Sequence, residues 1–242
     1  MNTGCIIIPC YNEMTNIAGV IEEASQFADK FDILVINDAS TDQTSLAARK
    51  TQKATVIDLP ANLGVGGAVQ TGLKYAKNQR YSWAIKLDGD GQHPPEAIQS
   101  MLEPLTEREA DIVIGSRFLA INSGFRSSFL RRIGIKFFEK LGMLLTGQRF
   151  TDPTSGFRAY NRKAIEFMAV HYPTFDYPEP EELVLASLNG LRLKEVSVSM
   201  RDRWSGESTI SSSFSVYFML KVTLAMIFIF FRTSKNNKEA KC

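Results

Sequence analysis

The sequence predicts an α/β domain with a mostly parallel sheet flanked by helices on both faces. Three features predict it. Short apolar runs alternate with helix-length segments through the first half of the chain. Those runs lack a polar face, as strands buried on both sides require. Polar clusters reading PCYNE, NDASTD, DGDGQH and GSR each follow a run, and ligands of such sheets bind beyond the carboxyl ends of the strands. The 242 residues suffice for one well-buried domain with a small appendage.

Residues 5–8 form the first apolar run, followed by a helical pattern over about 13–28. Residues 32–37 (DILVIN) are the second strand, with a helix from about Asp42. The third strand is 54–59, and 65–78 is a helix opened by a glycine-rich turn. The fourth is 82–87, and 94–105 reads as a helix with proline in its first turn. Residues 111–115 (DIVIG) are the fifth. Beyond them, 130–145 and 181–189 are helical, and 193–200 alternates like a strand.

Composition narrows the class. Apolar and charged fractions of 44% and 22% are ordinary for a globular protein and argue against disorder or a multi-pass membrane protein. A net charge of +2 is too small to argue for nucleic acid. Cys5, Cys10 and Cys242 suit neither a zinc site nor a disulfide framework, so a reduced compartment is expected. The N-terminus lacks a basic leader before a long apolar core, so no signal peptide is expected.

The sharpest motif is Asp88-Gly89-Asp90-Gly91-Gln92-His93, directly after WAIKL. Carboxylates at i and i+2, with Gly89 between them and Gly91 after, can turn toward one site at a strand end. Such oxygen ligands suit Mg²⁺ or Mn²⁺, which neutralise a departing diphosphate. A polar turn capping the next helix is the plain alternative.

Pro9-Cys10-Tyr11-Asn12-Glu13 offers an aromatic and a carboxylate for a nucleobase; otherwise Asn12 caps a helix and Glu13 favours its positive end. Residues 37–42 (NDASTD) are a second rim, or a turn in which Ser40 or Thr41 caps the following helix. The NLGVGGA stretch could bring free N–H groups to a phosphate, but fits no phosphate-loop pattern and signals little beyond a tight turn.

Taken in order, IIIPCYNE, VINDASTDQT, NLGVGGAVQTGL, KLDGDGQHPPE, IGSR, DPTSGFRAYNR and RWSGESTI resemble the inverting glycosyltransferases of family 2, more narrowly the dolichyl-phosphate mannose synthase branch with its bacterial polyprenyl-phosphate relatives. The resemblance covers about residues 6–210. It implies a GT-A type nucleotide-binding fold over 1–210, with an apolar helix and basic tail over 211–242. It also implies that Pro9, Tyr11, Glu13 and Asp38 hold base and ribose, and that Asp88 lies next to the nucleotide. Asp90 and Gln92, together with Asp88, are the implied ligands of Mg²⁺ or Mn²⁺. Arg117, Arg131 and Arg203 match basic positions that serve acceptor and donor phosphates, with Arg132 able to replace Arg131 by a one-residue shift. Relatives often carry a larger residue at Gly91, so a looser loop is expected here.

The implied reaction moves a sugar from a UDP- or GDP-linked donor to a polyprenyl phosphate in one inverting displacement. A hydroxyl acceptor would need a carboxylate base, whereas a phosphate acceptor is already anionic and needs arginine forks instead. Arg117, Arg126, Arg131, Arg132, Arg158 and Arg203 are more than enough, and Arg126, Arg132 and Arg158 read better as surface residues. Glu179, Glu181 and Glu182 are the competing bases, but acidic groups also simply favour a helix start. The rival readings are transfer to a hydroxyl of a cell-surface polysaccharide and a catalytically silent nucleotide-sugar-binding subunit.

Residues 214–231 are strongly apolar, broken by Lys221. As a helix they would measure about 27 Å, just short of a hydrocarbon core of roughly 30 Å. A shallow span, an interfacial helix, docking on a small membrane protein and a buried soluble helix all fit. The basic tail favours an anionic cytosolic membrane surface. Peripheral or single anchoring there is expected, and oligomerisation would explain the segment equally well.

Overall fold

The computed structural model describes residues 3–119, 129–201, 204 and 214–239. Seven strands form one sheet in the order β3-β2-β1-β4-β6-β5-β7. They are β1 (Gly4–Cys10), β2 (Phe31–Asn37), β3 (Thr55–Asp58), β4 (Trp83–Lys86), β5 (Ile112–Ser116), β6 (Arg158–Asn161) and β7 (Leu193–Ser197). All pairings are parallel except the two made by β6, which runs antiparallel between β4 and β5. The mostly parallel sheet expected from the sequence is present.

Among the described residues there are eight α-helices on or beside it: α1 (Ile17–Ala24), α2 (Thr44–Lys50), α3 (Gly64–Asn78), α4 (Ile98–Thr106), α5 (Phe129–Thr146), α6 (Arg162–His171), α7 (Glu179–Leu188) and α8 (Phe214–Glu239). Alternate residues of β1 feed the two faces. Ile6 and Ile8 pack with α1 and α4, whereas Cys5 and Ile7 pack with α3 and α6. Because both faces are covered, the central strand is apolar throughout.

A third apolar cluster lies off the sheet, where Phe138 of α5, Val184 and Leu185 of α7, and Val222, Met226 and Ile229 of α8 meet. The opposite face of α8 exposes Leu220, Leu224, Phe228 and Phe231, with Phe228 at 66%. Its window Tyr217–Ser234 is long and apolar enough to cross a membrane by length and composition.

The sequence reading places the first five strands within a few residues. β6 and α6 are absent from it, and the last strand ends at Ser197 rather than at residue 200.

Candidate active site at the carboxyl ends of the strands

The direction in which strands are added reverses between β1 and β4, so the loops after them flank the crevice in which open α/β sheets bind ligands. Pairing of β1 with β4 stops at Ile7 and Lys86, followed by one bond from the Leu87 N–H to the Ile7 carbonyl at 3.0 Å. Pro9 stands past that point, where it has no N–H to offer, and β1 continues beside β2 alone.

The loops after β1 and β2 are sewn together. Asn12 N–H donates to Ser40 Oγ and Glu13 N–H to Thr44 Oγ1, both at 2.9 Å, while Met14 N–H reaches Asp42 Oδ2 at 3.2 Å. In return, Thr41 N–H donates to Asn12 Oδ1 at 2.8 Å. Asn12 therefore is not a helix cap: it sits at φ +56°, and α1 begins only at Ile17. Asp42, rather than Ser40 or Thr41, serves the start of α2 by accepting the Thr44 N–H at 2.9 Å. Burial works to raise the Asp42 carboxyl, but the Thr44 hydroxyl and the N–H groups of Thr44 and Met14 prevail and hold it below its ordinary value.

On this rim Tyr11 is 47% exposed, and Glu13 is half-buried and accepts from Asn16 Nδ2 at 2.6 Å. Asp38 is buried, and its Oδ1 accepts the Leu63 N–H at 2.7 Å. Burial pushes this carboxyl upward, against the N–H groups of Leu63 and Gly64. The glycine-rich turn is a packing seat, because Gly66 N–H donates to the Phe175 carbonyl at 2.6 Å and a Cβ there would stand 2.0 Å from the Thr174 carbonyl oxygen. That N–H is not aimed at a phosphate.

The acidic loop follows β4. Lys86, sealed inside the sheet, lies 3.0 Å from Glu179 Oε1 and 3.5 Å from Asp88 Oδ1. Burial opposes its charge, but the carboxylates of Asp88 and Glu179 outweigh that and raise its pKa. His93 Nδ1 accepts the Asp88 N–H at 3.0 Å, which leaves its proton on Nε2, 3.6 Å from Asp88 Oδ2. The ring stacks on Phe157 with centroids 4.9 Å apart. Burial keeps His93 below its ordinary pKa despite Asp88 and Asp90. Asp90 is buried and its Oδ1 accepts the Gln92 N–H at 3.0 Å. Gly91 sits at φ +79°, and its missing Cβ leaves room for the Trp204 indole, which would otherwise lie 2.5 Å away.

The basic residues fare differently. Arg117, just past β5, is buried and spends its fork on Asp152, with Nε at 2.6 Å and Nη2 at 2.7 Å. Arg131 belongs to α5, but its side chain lies outside the described residues, as do Arg126 and Arg203. Arg132 is exposed. Arg158 is not a surface residue, since it is fully buried and lies 2.7 Å from Glu182.

That pairing also commits the acidic cluster of α7. Glu182 is taken by Arg158 and by the Tyr172 hydroxyl at 3.1 Å, and Glu179 by Lys86. Glu181 is buried, and its Oε1 has no hydrogen-bond partner among the described residues. Burial pushes its carboxyl up to about 8, with Lys221 opposing and Glu179 adding.

Among the described residues, no three Asp, Glu, His or Cys side chains converge into a self-contained metal cage. The loop instead offers two carboxylates and one carboxamide. Hard oxygen donors of this kind fit Mg²⁺ or Mn²⁺, and water and substrate phosphate would fill the remaining positions. Lys86 was missed by sequence reasoning although a lysine inside the apolar run WAIKL is the kind of residue a buried strand keeps only with a partner.

Residues 5–168 match the model of glycosyl transferase family 2. The chain is 28% identical over 210 residues to the UDP-N-acetylglucosamine–dolichyl-phosphate N-acetylglucosaminyltransferase of Methanococcus voltae, covering 80% of this chain and 83% of that one. It is 28% identical over 215 residues to the polyprenol monophosphomannose synthase of Mycolicibacterium smegmatis, covering 86% and 81%. Among solved structures, glucosyl-3-phosphoglycerate synthase from Mycobacterium tuberculosis, in complex with Mn²⁺, UDP-glucose and phosphoglyceric acid, superposes with a TM-score of 0.73 at 17% identity, covering 95% and 80%. That likeness shows the GT-A fold expected from the sequence. With the family model matching more than half of its length, the chain belongs to glycosyl transferase family 2.

Proposed function

We propose that this glycosyltransferase moves a sugar from a nucleoside diphosphate donor to a polyprenyl phosphate at the cytosolic membrane face. The carrying observation is the acidic loop at the sheet's turning point, held against Lys86 and His93 beside the rim that follows β1 and β2. Relatives named for dolichyl phosphate and polyprenol acceptors support the acceptor class.

In this reading Pro9, Tyr11, Glu13 and Asp38 line the base and ribose side, and Asp88 lies next to the nucleotide. Asp88, Asp90 and Gln92 would hold Mg²⁺ or Mn²⁺, which neutralises charge on the departing diphosphate. Lys86 and His93 orient Asp88 from behind. Arg117 braces the site wall through Asp152, leaving Arg131 and Arg203 as the arginines for phosphate oxygens. No general base is needed for an acceptor that is already an anion. Glu179 and Glu182 are committed to Lys86 and Arg158, which removes two of the three competing bases for transfer to a hydroxyl.

Residues 1–210 form the transferase part and 211–242 the membrane-directed part of this proposal. The inner face of α8 is occupied by α5 and α7, so the helix lies along the bilayer with its outer face in the interface rather than crossing it. Peripheral attachment follows.

Incubation of the full chain with labelled UDP- and GDP-sugars, polyprenyl phosphate vesicles and Mn²⁺ or Mg²⁺ tests the reading. The expected product is a lipid-extractable sugar released by mild acid. A product stable to mild acid would count against a glycosyl phosphate, and undiminished turnover in Asp90→Ala would remove the metal assignment.

A further inference from the structure

Two residues that follow β7, Arg201 and Trp204, are bonded to the acidic loop through their backbone. Arg201 N–H donates to the Gln92 carbonyl at 3.0 Å and Trp204 N–H to the Asp90 carbonyl at 3.3 Å. Both residues flanking Gly91 are thus gripped by one strap. The Trp204 indole lies over two glycines, because a Cβ at Gly91 or at Gly19 of α1 would stand 2.5 or 2.6 Å from its ring.

Arg201 anchors this strap. Its Nη1 lies 2.8 and 2.9 Å from the two Glu23 carboxylate oxygens, and its Nη2 lies 2.7 and 2.9 Å from those of Glu96. Glu23 belongs to α1, and Glu96 to the short turn of helix before α4. A single exposed ion pair contributes little to stability. A planar fork held by two carboxylates from separate elements instead fixes direction. The DGDGQ loop, with its two glycines, has much conformational freedom to lose on binding an ion, and the strap removes part of that freedom beforehand.

We propose that Arg201 and Trp204 are positioning residues for the acidic loop: the strap, clamped through Glu23 and Glu96, holds the backbone of Asp90 and Gln92 so that their side-chain oxygens face the divalent ion. The proposal rests on the reading of Asp88, Asp90 and Gln92 as its ligands. Neither positioning residue need touch the substrate. Gly91 and Trp204 form a matched pair, the indole occupying the space that a larger residue at position 91 would fill.

The test is titration of the full chain with Mn²⁺ alone, following free Mn²⁺ by electron paramagnetic resonance. Groups that orient metal ligands from behind typically change metal affinity by 10-fold or more, so Arg201→Met, the double variant Glu23→Gln with Glu96→Gln, and Trp204→Ala should each weaken binding by about 10-fold. Trp204→Phe should largely preserve it. Arg192→Met serves as control, because it removes an ion pair with Asp111 at the amino ends of the strands, away from the loop. Far-UV circular dichroism identifies any variant that fails to fold, and the remaining variants then carry the test. Wild-type Mn²⁺ affinity in folded Arg201→Met and Trp204→Ala, with binding lost in Asp90→Asn, overturns the strap alone. Unchanged binding in Asp90→Asn overturns the metal reading and the strap with it.

Discussion

The Arg158 guanidinium lies 2.7 Å from the Glu182 carboxylate, with neither side chain reaching solvent. Removing one partner of a buried pair leaves the other charge uncompensated, at a cost of about 3–5 kcal/mol. Arg158→Met and Glu182→Gln should each lower unfolding free energy in urea by that amount. The joint replacement by methionines should be milder than either single change. A loss under about 1 kcal/mol in both single variants would mean that the pair is not sealed as described.

Lys86 is the cation between Asp88 and Glu179. Lys86→Met leaves two carboxylates facing each other without it, so Asp88 should swing from its position. Turnover should fall about 100-fold, the scale of a misplaced reacting group. Steady-state kinetics with saturating donor and metal check this, and an unchanged kcat would show that Lys86 is only a packing residue.

Glu181 supplies a pH dependence. Burial pushes its carboxyl up to about 8, so between the ordinary carboxylate range and pH 8 the folded chain holds a proton that the unfolded chain releases. Stability is therefore lost as pH rises through that window. Glu181→Gln should raise the melting temperature at pH 9, by a gain on the order of 2 kcal/mol, and change it little at pH 4. Equal effects at both pH values would contradict the burial of this carboxyl.

The two faces of α8 should respond oppositely. Leu224→Glu combined with Phe228→Glu alters only exposed residues and should weaken co-sedimentation with anionic vesicles roughly 10-fold or more, leaving the unfolding midpoint nearly unchanged. Met226→Glu puts a charge into the cluster with α5 and α7 and should destabilise the fold by several kcal/mol. Undiminished vesicle binding in the outer-face variant would argue against the interfacial helix.

Much of the sheet was legible because β1, β2 and β5 are nearly all apolar, and buried parallel strands advertise themselves in that way. The acidic loop was legible for the same reason, since it directly follows such a run. β6 was not. It is four residues long and holds Arg158, whose partner lies on α7, so its charge looked like a surface feature. A signal did exist: Phe157 and Ala159 join one core face while Tyr160 joins the other, an alternation of period two. The start of α1 was misjudged because Asn12 and Glu13 answer to the neighbouring loop rather than to their own helix. The Trp204 seat on Gly91 joins residues over a hundred positions apart, and no local pattern reports that.

The single reversed strand sets an order of assembly. β5 touches the first half of the sheet only through β6, which is made more than forty residues later. On an emerging chain, β1 to β4 can therefore pair as they appear, while β5, packed on α4, has no strand partner until residue 161 has been synthesised. Premature release before that point would expose an apolar strand seeking any available edge, and this is where a chaperone would be needed.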